Sequence, residues 1–125
     1  MKSVLLVFDD STELKFIEEN LSENGFEIFR SQNLKEALIS AEKNIPDLIV
    51  VNTFDSERAI QLFSKQIKTE RLKKIALLSL IELEGYLKAS STEHLVVKPV
   101  RPKLLLSLIR SIMNHEKINW LSSFH

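Results

Sequence analysis

The chain has 125 residues, 44% of them hydrophobic and 27% charged, with Lys plus Arg equal to Asp plus Glu at 17 each. That is the size of one domain with enough apolar content for a core, and its zero formal net charge supplies no electrostatic footprint for nucleic acid or an anionic membrane. With no cysteine, disulfides, thiolate zinc sites and a cysteine nucleophile are excluded, and no stretch approaches the roughly 20 apolar residues of a membrane helix.

Five short apolar runs alternate with amphipathic stretches. Val4-Leu5-Leu6-Val7-Phe8 is a continuous run, as in a strand buried on both faces. It is too short for a secretory leader and two acids follow it, so a cytoplasmic protein is expected. Leu14, Ile17 and Leu21, with Phe16 beside them, predict a first helix that stops at Gly25. Phe26 to Arg30 partly alternates, which suits an edge strand. Leu34, Ala37, Leu38 and Ala41 form the stripe of a second helix, capped by Asn33 with Glu36 three residues on. Leu48 to Val51 is the next strand, and Ala59, Ile60, Phe63 and Ile67 predict the third helix. Ile75 to Leu78 is the fourth strand. Residues 81–90 predict a weaker fourth helix interrupted by Gly85. Leu95 to Val97 is the last strand, ending at Lys98-Pro99, and Leu104, Leu105, Leu108, Ile109 and Ile112 mark the fifth and strongest helix. Only two glycines occur, which argues against a turn-rich all-β fold.

Strand and helix thus alternate five times, and continuous apolar strands with crossover helices imply a parallel sheet covered on both faces. The expected fold is α/β, a flavodoxin-like (βα)5 doubly wound five-stranded parallel sheet of order 2-1-3-4-5, with the second strand at an edge. Sites in such sheets lie outside the carboxyl ends of the strands. Those ends carry Asp9 and Asp10, Asn52, Ser79 and Lys98. Acids, a hydroxyl and an ammonium at one edge are the groups that hold a divalent cation and a phosphoryl group.

This ordered set resembles the receiver domain of two-component response regulators. The likeness spans residues 2–115: the acidic end of strand one, Gly25-Phe26 after the first helix, Pro46-Asp47-Leu48-Ile49-Val50-Val51 before the acceptor position, Ser79 on the fourth strand and Lys98-Pro99 after the fifth. It implies a receiver-like domain over 1–115 and a C-terminal tail over 116–125. It implies that acids after strand one bind Mg²⁺, that the residue at position 52 accepts a phosphoryl group from a histidine kinase, and that Ser79 and Lys98 contact the phosphoryl oxygens. It also implies an interaction face on the fourth helix, last strand and fifth helix, including Tyr86, Leu87, Leu95, Arg101 and Arg110, that serves for homodimerisation or for a protein partner: a histidine kinase, another receiver or an output domain.

The departures are chemical. The acceptor position holds Asn52, whose carboxamide is not a usable nucleophile and cannot form an acyl phosphate. Losing that carboxylate weakens Mg²⁺ binding, so the metal site of Asp9 and Asp10 is expected to be weak or lost and no other cofactor is expected. Two registers of the acid pair remain open: Phe8 with Asp9, or Asp9 with Asp10. The alternative reading of Asp9 and Asp10 is that they only cap the first helix with Ser11 and Thr12. Thr53-Phe54-Asp55-Ser56 replaces the family's loop, Leu80 stands where a small residue is usual and crowds the phosphoryl pocket, and Leu95 stands where a switch aromatic is usual. The expectation is a degenerate pseudo-receiver, not an enzyme, acting by phosphorylation-independent protein contact, with no nucleic-acid or membrane partner. The alternative is a Mg²⁺-dependent phosphoacceptor that uses Asp9, Asp10 or Asp55. His94, His115 and His125 show no ligand spacing and are expected at the surface. Trp120 and Phe124 either fold back on the domain or form a docking patch.

Overall fold

Ser3–Phe8 form β1, whose six residues are all buried. In the computed structural model, which describes residues 2–8, 11–52, 57–68, 76–81, 94–97 and 101–113, eight further elements follow. They are α1 (Ser11–Glu23), β2 (Glu27–Ser31), α2 (Leu34–Asn44), β3 (Leu48–Asn52), α3 (Glu57–Ile67), β4 (Ala76–Ile81), β5 (His94–Val97) and α4 (Pro102–Met113). The strands form one five-stranded sheet of order β2-β1-β3-β4-β5, and every pairing is parallel. This is the expected order, with β2 at an edge. Its residues are the least buried of the strands described in full.

Alternation along the strands divides the core into two layers. Val4, Leu6 and Phe8 of β1, Leu48 and Val50 of β3 and Leu80 of β4 pack with Leu14, Ile17 and Leu21 of α1 and with Leu105, Leu106, Leu108, Ile109 and Ile112 of α4. Leu5, Val7, Ile49 and Val51 pack on the opposite face with Ala37 and Ala41 of α2 and Ile60, Phe63 and Ile67 of α3. Both faces of the sheet are therefore covered, and burial of these apolar side chains is the main force holding the layers together.

Local chemistry ends the helices where the sequence predicts. Gly25 adopts φ +88°, Phe26 N–H donates to the Leu21 carbonyl and Gly25 N–H to the Ser22 carbonyl, each at 3.2 Å. That pair of bonds is a Schellman stop, in which glycine takes the left-handed backbone without a Cβ penalty. Asn33 caps α2 by accepting from Glu36 N–H at 2.9 Å, and Glu36 Oε2 accepts from Gln32 N–H at 3.1 Å. At the other end of α2 Ile45 takes φ 36°, a left-handed conformation that costs energy for a β-branched residue.

Asp47 explains part of the Pro46-Asp47 motif. Its Oδ2 accepts from Ser3 N–H at 2.8 Å and from Ser3 Oγ at 3.3 Å, while its own N–H donates to the Ser3 carbonyl at 3.0 Å. The carboxylate thus ties the entry of β3 to the start of β1, at the end of the sheet opposite the strand carboxyl termini. Asp47→Ala is expected to cost about 1–2 kcal/mol, because the Ser3 N–H loses a charged acceptor. A urea midpoint unchanged from the parent chain would show that the tie contributes nothing.

One side chain and one boundary, the end of β4, differ from the sequence reading. Phe16 is 62% exposed and lies outside the core stripe, because the α1 layer is already filled from Leu14, Ile17 and Leu21. Ile81 belongs to β4 and does not start a helix; residues 82–93, which include the rest of the predicted fourth helix, lie outside the described residues. The β4 ladder also continues two residues beyond Ser79, where the sequence reading ended the strand.

Candidate functional site

The carboxyl ends of β1, β3 and β4 meet around Asn52. Phe8, the last residue of β1, is in register with Asn52, the last residue of β3. Val51 is in register with Ser79, so one step further along both strands brings Leu80 level with Asn52. Asn52 has the same alternation as Leu48 and Val50, which places it on the α1/α4 side of the sheet, the side to which Phe8 and Leu80 also belong. Asn52 is 4% exposed, Phe8 3% and Leu80 2%. A carboxamide therefore sits in a row of three buried positions whose other two members are apolar.

This geometry has a chemical consequence. A phosphoacceptor needs a carboxylate that is ionised and open to a cation and an incoming phosphoryl donor. Asn52 is an uncharged carboxamide, 4% exposed, and does not itself supply that charge. Leu80, expected from sequence to crowd the pocket, is part of the hydrophobic core beside Phe8. The first-acid register of the sequence reading put a phenylalanine at the first acidic position, and Phe8 is the strand residue that neighbours Asn52.

The other predicted site residues are distributed as follows. Asp9, Asp10, Asp55, Lys98, Tyr86 and Leu87 lie outside the described residues. Ser79 and Leu95 are in register with each other on β4 and β5, and Ser79 shares its level with Val51 instead of Asn52. Arg101 is exposed ahead of α4. Arg110, also exposed, donates from Nη2 to Asn24 Oδ1 at 3.3 Å, so it lies against the carboxyl-terminal end of α1. His115, His125, Trp120 and Phe124 lie outside the described residues. Among the described residues no group of three or more His, Cys, Asp or Glu is arranged to hold a metal ion.

Phe8 also lines an open groove of about 1200 Å³ that runs past Ser31, Gln32 and Asn33 toward Ile39 and Lys43 of α2. The groove therefore follows the edge strand β2 from Ile28 to Ser31 and reaches the carboxyl end of β1 at Phe8. Among the described residues its wall is polar and apolar by turns, and its charged members are Arg30, Lys43 and Glu36.

His94 departs from the expectation of a surface residue. It opens β5, is half-buried, and its Nδ1 is buried without a hydrogen-bond partner. Burial, with the nearby Lys68 ammonium as a smaller contribution, pushes its pKa below the ordinary 6.5. The folded state thus prefers the neutral imidazole. Stability contributed by this preference is fully present above about pH 6.5 and is lost as pH falls through the lowered folded value. His94→Leu is expected to flatten the stability profile between pH 7 and pH 5. A variant with the same acid slope as the parent would show that another group sets it.

No helix of the described residues is long and apolar enough to cross a membrane. The family model TP_0454_N, described as an N-terminal domain, matches residues 1–97. Comparison with curated proteins returns no match. Solved receiver domains share the fold. The signal receiver domain of a signal transduction histidine kinase from Syntrophus aciditrophicus superposes with a TM-score of 0.78 at 20% identity, covering 95% of this chain and 95% of that one. The chemotaxis response regulator CheY4 of Vibrio cholerae gives 0.72 at 25% identity, over 90% of this chain and 98% of that one. The receiver domain of a sensor histidine kinase from Pseudomonas aeruginosa, solved with a magnesium ion coordinated in its active-site cleft, gives 0.76 at 18% identity over 90% and 98%.

Proposed function

The chain belongs to the TP_0454_N N-terminal-domain family and has the receiver fold, and from that premise we propose that it is a pseudo-receiver: a two-component-type signalling module that acts by protein–protein contact without aspartyl phosphorylation. The observation that carries this reading is the environment of Asn52, a carboxamide 4% exposed in line with buried Phe8 and Leu80. Acyl-phosphate chemistry needs an ionised oxygen at that strand end, and this one is uncharged and enclosed. Ser79 and Lys98 then persist as remnants of a phosphoryl site. The partner is a protein of the same signalling class, a histidine kinase, another receiver or an output domain.

Incubation of the intact chain with a small phosphodonor and Mg²⁺ tests the proposal. The expected result is no phosphoryl adduct by intact mass. A base-labile, Mg²⁺-dependent adduct mapping to Asp9, Asp10 or Asp55 would replace this reading with that of a phosphoacceptor using a displaced acid.

A further inference from the structure

The two helices on one face of the sheet differ in charge on their outer sides: α1 exposes Glu19 and Glu23 with one cation, Lys15, a turn ahead of them, whereas the exposed charges of α4 are all basic. α1 and α4 pack against each other over the layer formed by Val4, Leu6, Phe8, Leu48 and Val50. On α1, Phe16, Glu19 and Glu23 recur at i, i+3 and i+7, and all three are exposed. On α4, Lys103, Ser107 and Arg110 recur at i, i+4 and i+7, again all exposed, with exposed Arg101 just ahead of them. From Arg101 to Met113 there is no acidic residue. An acidic stripe thus runs beside a basic one, with Phe16, 62% exposed, at the amino-terminal end of the acidic stripe.

The relative height of the stripes follows from one contact. Arg110 Nη2 reaches Asn24 Oδ1 at 3.3 Å, which sets Arg110 level with the last turn of α1. In a parallel sheet the crossover helices all run the same way, so equal steps back along both helices stay level. Glu23 then lies at the height of Arg110, Glu19 between Ser107 and Lys103, and Phe16 near Lys103.

We propose that this face binds the same face of a second copy of the chain, as a two-fold dimer in which α1 of each copy lies on α4 of the other. A two-fold axis parallel to the helices and between them makes that exchange. It sets Glu23 against Arg110 of the second copy and Glu19 against Lys103 of the second copy, and each pair occurs twice by symmetry. A two-fold axis perpendicular to the helices instead stacks α1 on α1 and opposes acid with acid, so the charge pattern selects the first arrangement. Phe16 supplies the apolar anchor and covers the aliphatic stem of Lys103 of the second copy. The proposal goes beyond the pseudo-receiver reading and uses no residue of the Asn52 site.

Sedimentation velocity of the full chain tests it. The expected result is a reversible dimer at low salt whose dissociation constant rises about tenfold or more when the ionic strength is raised from about 25 mM to about 500 mM. E19K with E23K should weaken dimerisation to a similar degree, as should K103E with R110E, and combining all four should restore it. Circular dichroism checks that each variant folds. The E19K/E23K pair touches no intramolecular hydrogen bond or ion pair described for the parent, so its loss of dimer is not a loss of fold. A chain that stays monomeric at low salt would overturn the proposal. So would a dimer indifferent to the charge reversals, or a fourfold variant that does not regain association.

Discussion

Asn52→Asp is expected to lower stability by about 2–4 kcal/mol near neutral pH and to leave the chain unable to take a phosphoryl group. The substitution is nearly isosteric, so the effect is one of charge. Position 52 is buried on the α1/α4 side of the sheet, with Phe8 and Leu80 as its neighbours on the adjoining strands. A carboxyl at this buried position loses hydration, which disfavours its ionised form and is expected to raise its folded pKa above the unfolded value of about 3.9. The folded variant then holds a proton that the unfolded chain has released, so its stability falls as pH rises. The deficit against the parent should shrink as pH drops toward 4 and be largest above the raised folded value. Urea unfolding of both chains between pH 4 and pH 8 measures it. If Mg²⁺ instead raised the unfolding midpoint of the variant and a phosphodonor labelled it, the site would be intact apart from its acceptor, and the enclosed environment of position 52 would not be what blocks the chemistry.

Phe63→Ala should cost about 3–5 kcal/mol, a large share of the stability of a domain this size. The layer between the sheet and the α2/α3 pair is built unevenly. α2 contributes Ala37 and Ala41, both fully buried, and these small side chains let the helix approach the strands. The volume comes from α3, where Phe63 is 1% exposed and ranks first by size among the fully buried side chains of the described residues. Removing its ring leaves a cavity against Leu5, Val7, Ile49 and Val51, which sit on strands that pair on both sides and have little freedom to collapse into it. The adjacent Leu62, 57% exposed, is the control, and Leu62→Ala should fall within about 0.5 kcal/mol of the parent. Equal shifts in the urea midpoint for the two variants would mean that the α3 face has been assigned wrongly.

The sequence alone determined the order of the strands and of the helices among the described residues, their approximate ends and the chemical identity of the strand termini. These features are local. Period 2 or 3.6 in apolar residues, a cap such as Asn33, and a stop such as Gly25 each depend on residues within a turn or two. The residue type at the end of β3 was legible for the same reason: Asn52 follows a recognisable apolar run, and an amide is not a carboxylate wherever the chain places it. The sheet order also followed, because continuous apolar strands joined by helices leave few topologies and only the β2 segment read as an edge.

The tertiary structure decided which distant residues stand side by side. Phe8 and Leu80 are 44 and 28 positions from Asn52 in the chain, and only the parallel registers of β1 and β4 with β3 bring them level with it. Phe16 reads as core by type, yet the α1 layer is complete without it, so it is left at the surface. His94 reads as polar, yet strand pairing at the start of β5 half-buries it. Arg110 reads as part of an interaction face that includes the fifth helix, and the packing of α4 on α1 brings it within hydrogen-bond reach of Asn24. Each difference has one physical cause. Periodicity specifies which side of an element is apolar, whereas burial and neighbours depend on how much of that side the rest of the chain has room to cover.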